Sequence, residues 1–102
     1  MPILTCGALA VDLEGACVRL NGADVPVTFQ EFKLLVRLIR RKARVVSREE
    51  LIARAWSPGD PVSPRTVDVH IRRLRRKLDD PQGSLIETVY QRGYRLAATH
   101  SA

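Results

Sequence analysis

The stretch PRTVDVHIRRLRRKL, residues 64–78, decides how the rest of the chain is interpreted. Four of its apolar residues recur at intervals of four, three and four, which stacks them on one narrow face of an α-helix. These residues are Val67, Ile71, Leu74 and Leu78. The opposite face carries Arg65, Arg73 and Arg76, with the small apolar Val69 among them. The pattern therefore predicts a helix with one buried side and one cationic side.

The cationic side has the composition of a nucleic-acid contact. Five of the six basic residues in 65–78 are arginine, whose planar guanidinium pairs with two acceptors at once on phosphate or on guanine. A helix of about 14 residues is about 21 Å long and fits the DNA major groove, which is about 12 Å wide. Arginine-rich helices without a nucleic-acid role are also common, so a solvated charged face stays open as the alternative.

The composition is that of one globular domain with an excess of positive charge. The 102 residues are 45% hydrophobic and 27% charged, with a net charge of +6. Residues 37–48 hold six cations and no acid, and residues 65–78 hold six cations and one acid. Two such patches favour a polyanionic partner. No apolar run of about 18 residues and no signal-peptide pattern is present, so we expect a soluble cytoplasmic protein with no membrane partner.

The residue inventory does not favour an enzyme or a metal site. The two histidines, His70 and His100, have no nucleophile, carboxylate pair or metal-binding spacing beside them. Cys6 and Cys17 lack the spacing of a metal or redox motif. We interpret both as small buried side chains in a reducing cytoplasm, while a disulfide between them stays open. We expect no enzymatic activity, no metal or other cofactor and no small-molecule ligand.

The N-terminal half predicts a sheet and two helices. Short β-favourable runs indicate three to four antiparallel strands across about residues 3–27, with Asn21-Gly22 as a two-residue hairpin turn. Thr28 and Glu31 have the spacing of a capping box and start a helix over about 29–41. A second capping box at Ser47 and Glu50 starts a helix over about 48–56.

The C-terminal half predicts a third helix and a hairpin. Ser63 and Pro64 open the helix over about 64–78, after a loop rich in turn-forming residues. Two β-favourable runs joined by a glycine-containing turn predict a hairpin over about 85–97. Its tip carries Arg92, where a cation can follow a phosphate or enter the minor groove. Residues 99–102 are expected to fray.

Four blocks of sequence resemble the effector domain of OmpR/PhoB-type response regulators. They are TFQEFKLL at 28–35, VSREEL at 46–51, RTVDVHIRRLRRKL at 65–78, and IETV at 86–89 with GYR at 93–95. The resemblance implies an α+β fold, a winged helix-turn-helix in one domain over residues 1–102. It also implies a four-stranded antiparallel N-terminal sheet, three helices and a C-terminal hairpin wing. Its implied function is transcription regulation through double-stranded DNA, as the output domain of a bacterial two-component system.

The same resemblance assigns roles to particular residues. The residues that match the family's base contacts are Arg73, Val69 and Asp68. We add Arg76 to these base-reading candidates because it lies on the same outward face. The phosphate contacts that the resemblance implies are Arg65, Thr66, His70, Arg72, Arg75, Trp56 and Thr88. Apart from the resemblance, we expect the basic cluster Arg40–Arg48 to assist them, with Arg48 as a further phosphate contact. The loop that corresponds to the family's RNA polymerase contact comprises Ser57, Pro58, Gly59, Asp60, Pro61 and Val62. Paired binding of two copies on neighbouring half-sites is a further expectation from the family.

The sequence differs from the family pattern at several points. In the wing, Tyr90 and Gln91 replace the usual Arg-Gly, and we expect Arg92 to act at the minor groove instead. Ala43 stands where the family commonly has glycine.

The helical wheel puts Asp68 and Arg75 at the edge of the apolar stripe, so we favour an ion pair between Asp68 and Arg72 over a base contact by Asp68. Family members usually carry a receiver domain, which these 102 residues lack; the chain is either an excised domain or a stand-alone regulator.

A winged helix used only for protein docking, or for DNA binding without sequence preference, is the competing interpretation. A docking module predicts a neutral or apolar outward face on the third helix. Since that face is cationic here, we favour sequence-specific DNA binding.

Overall fold

Four strands, three helices and a two-stranded hairpin follow one another in the computed structural model, which describes residues 3–97. The N-terminal strands are β1 (Ile3–Cys6), β2 (Leu9–Asp12), β3 (Cys17–Leu20) and β4 (Ala23–Val25). The helices are α1 (Phe29–Arg40), α2 (Arg48–Ala55) and α3 (Pro64–Lys77). The hairpin, called the wing below, pairs β5 (Ile86–Val89) with β6 (Gly93–Leu96). This is the expected winged helix-turn-helix architecture.

The N-terminal sheet is antiparallel, in the order β1-β2-β3-β4. Val11 lies opposite Val18, and both are buried together with Leu9 on the face that covers the helices. Asn21 and Gly22 connect β3 to β4 with φ angles of 54° and 81°. These two positive φ values are those of the predicted hairpin turn, and the count of four strands is the one that the resemblance implies.

Side-chain caps start the helices, as predicted for α1 and only in part for α2. The Thr28 hydroxyl accepts from the Glu31 amide, and the Glu31 carboxylate accepts from the Thr28 amide. At α2, the Ser47 hydroxyl accepts from the Glu50 amide. The Glu50 carboxylate does not complete the box; it pairs with Arg37 of α1 at 2.5 Å. The second capping box was therefore half right, because a cation from another helix competes for the carboxylate.

The helices end one residue before the predicted positions, and the first is followed by a left-handed turn. Lys42 and Ala43 have φ angles of 51° and 69°. Ala43 thus occupies the conformation that the family's glycine adopts without strain, at a cost of up to about 1 kcal/mol. Residues 99–102, expected to fray, lie outside the described part of the chain.

The core forms where the three helices meet the sheet and the wing. Val67, Ile71 and Leu74 are fully buried on α3, and Leu78 follows them, so the predicted buried side of the helix is confirmed. The prediction for the cysteines was wrong in part, because Cys17 is exposed and Cys6 is only half-buried. None of the helices in residues 3–97 is long and apolar enough to cross a bilayer.

An ion pair between a buried carboxylate and a partly exposed lysine joins α1 to α3. Glu31 is 1% exposed, and its Oε1 lies 2.6 Å from Nζ of Lys77 at the end of α3. Burial alone would raise the pKa of Glu31, but the contacts with Lys77 and the Thr28 amide outweigh it and leave this pKa below its usual value. The carboxylate therefore stays ionised at neutral pH, and its contribution to stability is lost only as acid protonates it.

Candidate nucleic-acid interface

The outward face of α3 presents arginines that no other group in the described chain neutralises. Arg65, Arg72, Arg73 and Arg76 are exposed, and none makes an ion pair or side-chain hydrogen bond within residues 3–97. Val69 lies among them with 39% of its surface exposed. Because like charges repel and each guanidinium keeps its donors free, this face is suited to a partner with many acceptors.

Backbone hydrogen bonds join the wing to the segment that precedes α2. Val46, just before α2, exchanges two backbone hydrogen bonds with Tyr94 of β6, at 2.7 and 3.0 Å. Gly93 has a φ of 143°, and a Cβ atom there would collide with the Val46 carbonyl oxygen. Only glycine permits this close approach, so Gly93 allows the backbone pairing of Val46 with Tyr94.

Asp68 lies at the centre of a network that joins α2, α3 and the wing. Its Oδ1 accepts from Arg48 Nε at 2.7 Å and from the Tyr94 hydroxyl at 2.5 Å. The predicted ion pair of Asp68 with Arg72 was wrong, because Arg48 reaches the carboxylate from the start of α2 and Arg72 points into solvent. Asp68 thus orients the side chains of Arg48 and Tyr94, and its Oδ1 already accepts two hydrogen bonds.

The electrostatics of this network keep its members in their hydrogen-bonding states. Burial first, and then the hydrogen bond to Asp68, raise the pKa of Tyr94. The hydrogen bond to Asp68 raises the pKa of Arg48. The Arg48 guanidinium also lies 5.0 Å from the centre of the Tyr94 ring, in cation–π contact. Arg48, expected to contact phosphate, is thus held by protein groups in the free chain.

Arg75 connects α3 to the first strand of the wing. Its Nε and Nη2 donate to the Ile86 carbonyl oxygen at 3.0 and 2.6 Å, and Nη2 also donates to Thr88 Oγ1 at 2.7 Å. Two residues assigned to phosphate, Arg75 and Thr88, therefore bind each other. The position of Arg75 at the edge of the apolar stripe was the sequence signal for this inward contact.

Trp56 and His70 form the other end of the surface. Their rings meet edge to face with 5.2 Å between centroids, and His70 Nδ1 lies 2.8 Å from the Thr66 carbonyl oxygen. The contact packs the end of α2 on the first half of α3. The expected phosphate contacts of Trp56, His70 and Thr66 stay predictions.

The sequence interpretation missed Asp80, which builds the connection from α3 to the wing. Asp80 is 6% exposed, and its carboxylate accepts from the amides of Ser84, Leu85 and Ile86 at 2.7, 3.0 and 2.9 Å. In the sequence it is one of several turn-forming residues that end the helix. Nothing in that local pattern distinguishes it from its exposed neighbour Asp79.

Two exposed segments flank the surface. The loop between α2 and α3 is closed by Asp60, whose carboxylate accepts from the Ser57 amide at 2.9 Å. At the wing tip, Tyr90 is 83% exposed, Gln91 has a φ of 61°, and Arg92 is exposed. Gln91 thus takes the left-handed conformation for which the family pattern has glycine, and Arg92 projects from the tip as expected.

Comparison with known proteins identifies the family. The family model "Transcriptional regulatory protein, C terminal" matches residues 22–96. The transcriptional regulatory protein CseB of Streptomyces avermitilis is 40% identical over 96 residues, which covers 94% of this chain and 40% of CseB. The chain therefore spans less than half the length of that relative.

Solved structures agree with the sequence match. Response regulator DrrB of Thermotoga maritima, an OmpR/PhoB homologue, superposes with a TM-score of 0.82 at 36% identity, covering 96% of this chain and 44% of DrrB. The RstA DNA-binding domain of Klebsiella pneumoniae, solved in complex with the RstA box, gives a TM-score of 0.78 at 30% identity, covering 98% and all of that chain. The chain belongs to the family of C-terminal domains of transcriptional regulatory proteins, of the OmpR/PhoB response-regulator type.

Proposed function

We propose that this domain binds double-stranded DNA sequence-specifically and regulates transcription as the output domain of a two-component response regulator. The observation that carries the proposal is the set of four exposed arginines on α3 without partners in residues 3–97, beside a wing held at a fixed position. A rod of this width enters the major groove, and the adjoining wing then faces the neighbouring minor groove.

The free arginines divide between bases and backbone in this proposal. Arg73 and Val69 project outward near the middle of α3 and meet base edges, with Arg76 one turn further on. Arg65, Thr66 and Arg72 grip phosphates, helped by His70 and Trp56. Arg48, Arg75 and Thr88 already have partners within the protein. A phosphate contact by any of them is made in addition to those contacts or replaces them. Asp68 acts by holding Arg48 and Tyr94 rather than by touching a base.

Selection from a random duplex pool tests the proposal. The 102-residue chain is used to enrich bound duplexes, and the winners are compared with scrambled sequences of equal length and composition. We expect a repeated short motif bound at least a hundredfold more tightly than scrambled DNA. Salt-sensitive binding without enrichment would favour the nonspecific module, and no binding would favour a protein-docking function.

Arg92 is expected to supply the minor-groove contact of the wing. Replacing Arg92 with alanine should weaken binding to the selected duplex about tenfold and reduce its preference for A·T pairs beside the major-groove site. Anisotropy titrations against duplexes that differ only at those pairs measure both effects. Arg95→Ala is the matched control, since Arg95 is exposed on β6 but pairs with Glu87. Unchanged affinity and unchanged base preference for Arg92→Ala would contradict the assignment.

Partners beyond DNA are also proposed from the family. The loop at residues 57–62 is proposed to contact RNA polymerase. Two copies of this domain are expected to bind DNA half-sites about one helical turn apart. Since the relatives are bacterial regulators, a cytoplasmic location accompanies this proposal.

A further inference from the structure

A cleft on the side of α1 away from α3 combines an apolar floor with uncompensated positive charge. Its volume is about 420 Å³. The residues that line it come from α1, from α2 and from the loop between β2 and β3; they are Leu13, Phe32, Lys33, Val36, Arg37, Arg40 and Arg54. They include four cations, three apolar side chains and no acid. None of them belongs to α3 or to the wing.

Helix geometry places this cleft on the side of α1 that does not face the DNA surface. Phe29, Lys33, Val36 and Arg40 follow one another at intervals of four, three and four, so they share one face of α1. Glu31, whose carboxylate binds Lys77 of α3, lies two residues from Phe29 and from Lys33. Two residues correspond to about 200° around a helix. The face that meets α3 and the face that lines the cleft are therefore opposite each other.

Most of the positive charge in the cleft lacks an ion-pair partner. Arg37 pairs with Glu50, but Arg40 and Arg54 are exposed and make no ion pair or side-chain hydrogen bond within the described residues. The Lys33 ammonium lies 4.8 Å from the centre of the Phe29 ring, and that ring is 63% exposed. It stacks on Phe32 with 5.9 Å between centroids. Three cations thus line the cleft, and the exposed Phe29 ring lies beside it on the buried Phe32.

We infer that this α1 cleft is a docking site for an acidic protein segment with apolar anchors. Carboxylates of such a segment would meet Lys33, Arg40 and Arg54, and its apolar side chains would cover Phe29, Leu13 and Val36. A DNA backbone fits less well, because phosphates offer nothing to cover these apolar side chains. A second copy of this chain also fits less well. Its exposed acids that make no ion pair within residues 3–97 are spread over separate loops and a helix start; they are Glu14, Glu49, Asp60 and Asp79. The inference does not depend on DNA being the ligand of α3.

A defined peptide tests the inference. The probe is a short fluorescein-labelled peptide in which Glu and Asp alternate with Leu and Phe, and its control replaces each Leu and Phe with Ser. Nuclear magnetic resonance of the 102-residue chain should show the largest shifts at amides of α1 and at Arg54. The Ser peptide should bind at least fivefold more weakly, because it has no group to cover the apolar floor.

Charge reversals separate the cleft from general positive charge. Arg40→Glu and Arg54→Glu should each weaken binding of the probe peptide about fivefold or more. Arg19→Glu, an exposed change on the sheet that replaces the Arg19–Asp24 ion pair with two carboxylates, should change it less than twofold. A saturating DNA duplex should leave the peptide bound. Shifts centred on α3, equal effects of all three reversals, displacement by the duplex, equal binding of the Ser peptide, or no binding of the probe would each overturn the inference. Since the reversed residues are exposed, thermal unfolding midpoints close to that of the parent chain are expected and are checked first.

Discussion

Replacing Asp80 with alanine is expected to lower the free energy of unfolding by about 3 kcal/mol. The Asp80 carboxylate accepts from three consecutive backbone amides at the entry to the wing, those of Ser84, Leu85 and Ile86, the last of them buried in β5. Its removal leaves those donors without an acceptor, and each charge-assisted bond of this kind contributes about 1.5–3 kcal/mol on its own. Because a domain of this size has about 5–15 kcal/mol in total, the variant should remain folded but be markedly less stable.

Urea unfolding followed by circular dichroism measures this loss. The matched control is Asp79→Asn, which removes the neighbouring exposed charge and keeps a side chain that tolerates the positive φ of 56° at that position. The control should change stability by less than about 0.5 kcal/mol. Asp80→Asn, which keeps one acceptor oxygen, should fall between the two. An Asp80→Ala variant as stable as the control would show that the connection to the wing is held by other contacts.

Raising monovalent salt from about 50 to about 200 mM is expected to weaken DNA binding about a thousandfold. About five or six phosphate contacts per protomer give a log–log slope near −5, since each neutralised phosphate releases condensed counterions. Anisotropy titrations of the selected duplex over a salt series provide the slope. Arg65→Ala should make the slope less negative by about one, because Arg65 is exposed, lacks a protein partner in residues 3–97 and is assigned to phosphate.

Two results would contradict this electrostatic account. A slope near zero would mean that apolar contacts, rather than the arginines of α3, account for the affinity. An unchanged slope for Arg65→Ala would mean that the first turn of α3 does not reach the backbone. The control is Arg19→Ala on the sheet, where Arg19 already pairs with Asp24, and its slope should equal that of the parent chain.

Features that depend on neighbouring residues could be predicted from the sequence. The buried side of α3 follows from the spacing of Val67, Ile71 and Leu74, and the β3–β4 turn follows from the tolerance of Asn21-Gly22 for positive φ. The Thr28 cap was equally local. In each case the physical cause lies within one or two turns of chain.

Contacts between distant segments could not be predicted in the same way. Asp68 had a nearby candidate in Arg72, yet the fold brings Arg48 and Tyr94 to it from other elements. Glu50 was assigned to a cap and is taken by Arg37. Asp80 resembled any turn residue until the amides of the following loop were placed around it. The hydrogen-bond partners of a polar side chain depend on which groups the tertiary fold brings near it, and helical spacing alone does not specify those groups.

The sequence predicted which arginines of the candidate site are exposed, but it did not predict which of its side chains already bind other protein groups. The exposed arginines Arg65, Arg72, Arg73 and Arg76 lie where the sequence placed them. Arg48 and Arg75 were also expected to contact phosphate, but in the free chain Arg48 binds Asp68 of α3 and Arg75 binds the Ile86 carbonyl oxygen of the wing. The difference arises because an arginine at the edge of a helix face can turn toward a neighbouring element.

Comparing Arg73→Ala with Arg65→Ala on selected and scrambled duplexes tests most directly whether the outward face of α3 recognises sequence. Arg73→Ala should lose about 1–3 kcal/mol of binding free energy on the selected duplex, relax the preference at one base pair and change scrambled binding little. Arg65→Ala should weaken both duplexes alike, as a phosphate contact does. Equal losses on selected and scrambled DNA for Arg73→Ala would contradict the account, because Arg73 would then act only as a charge.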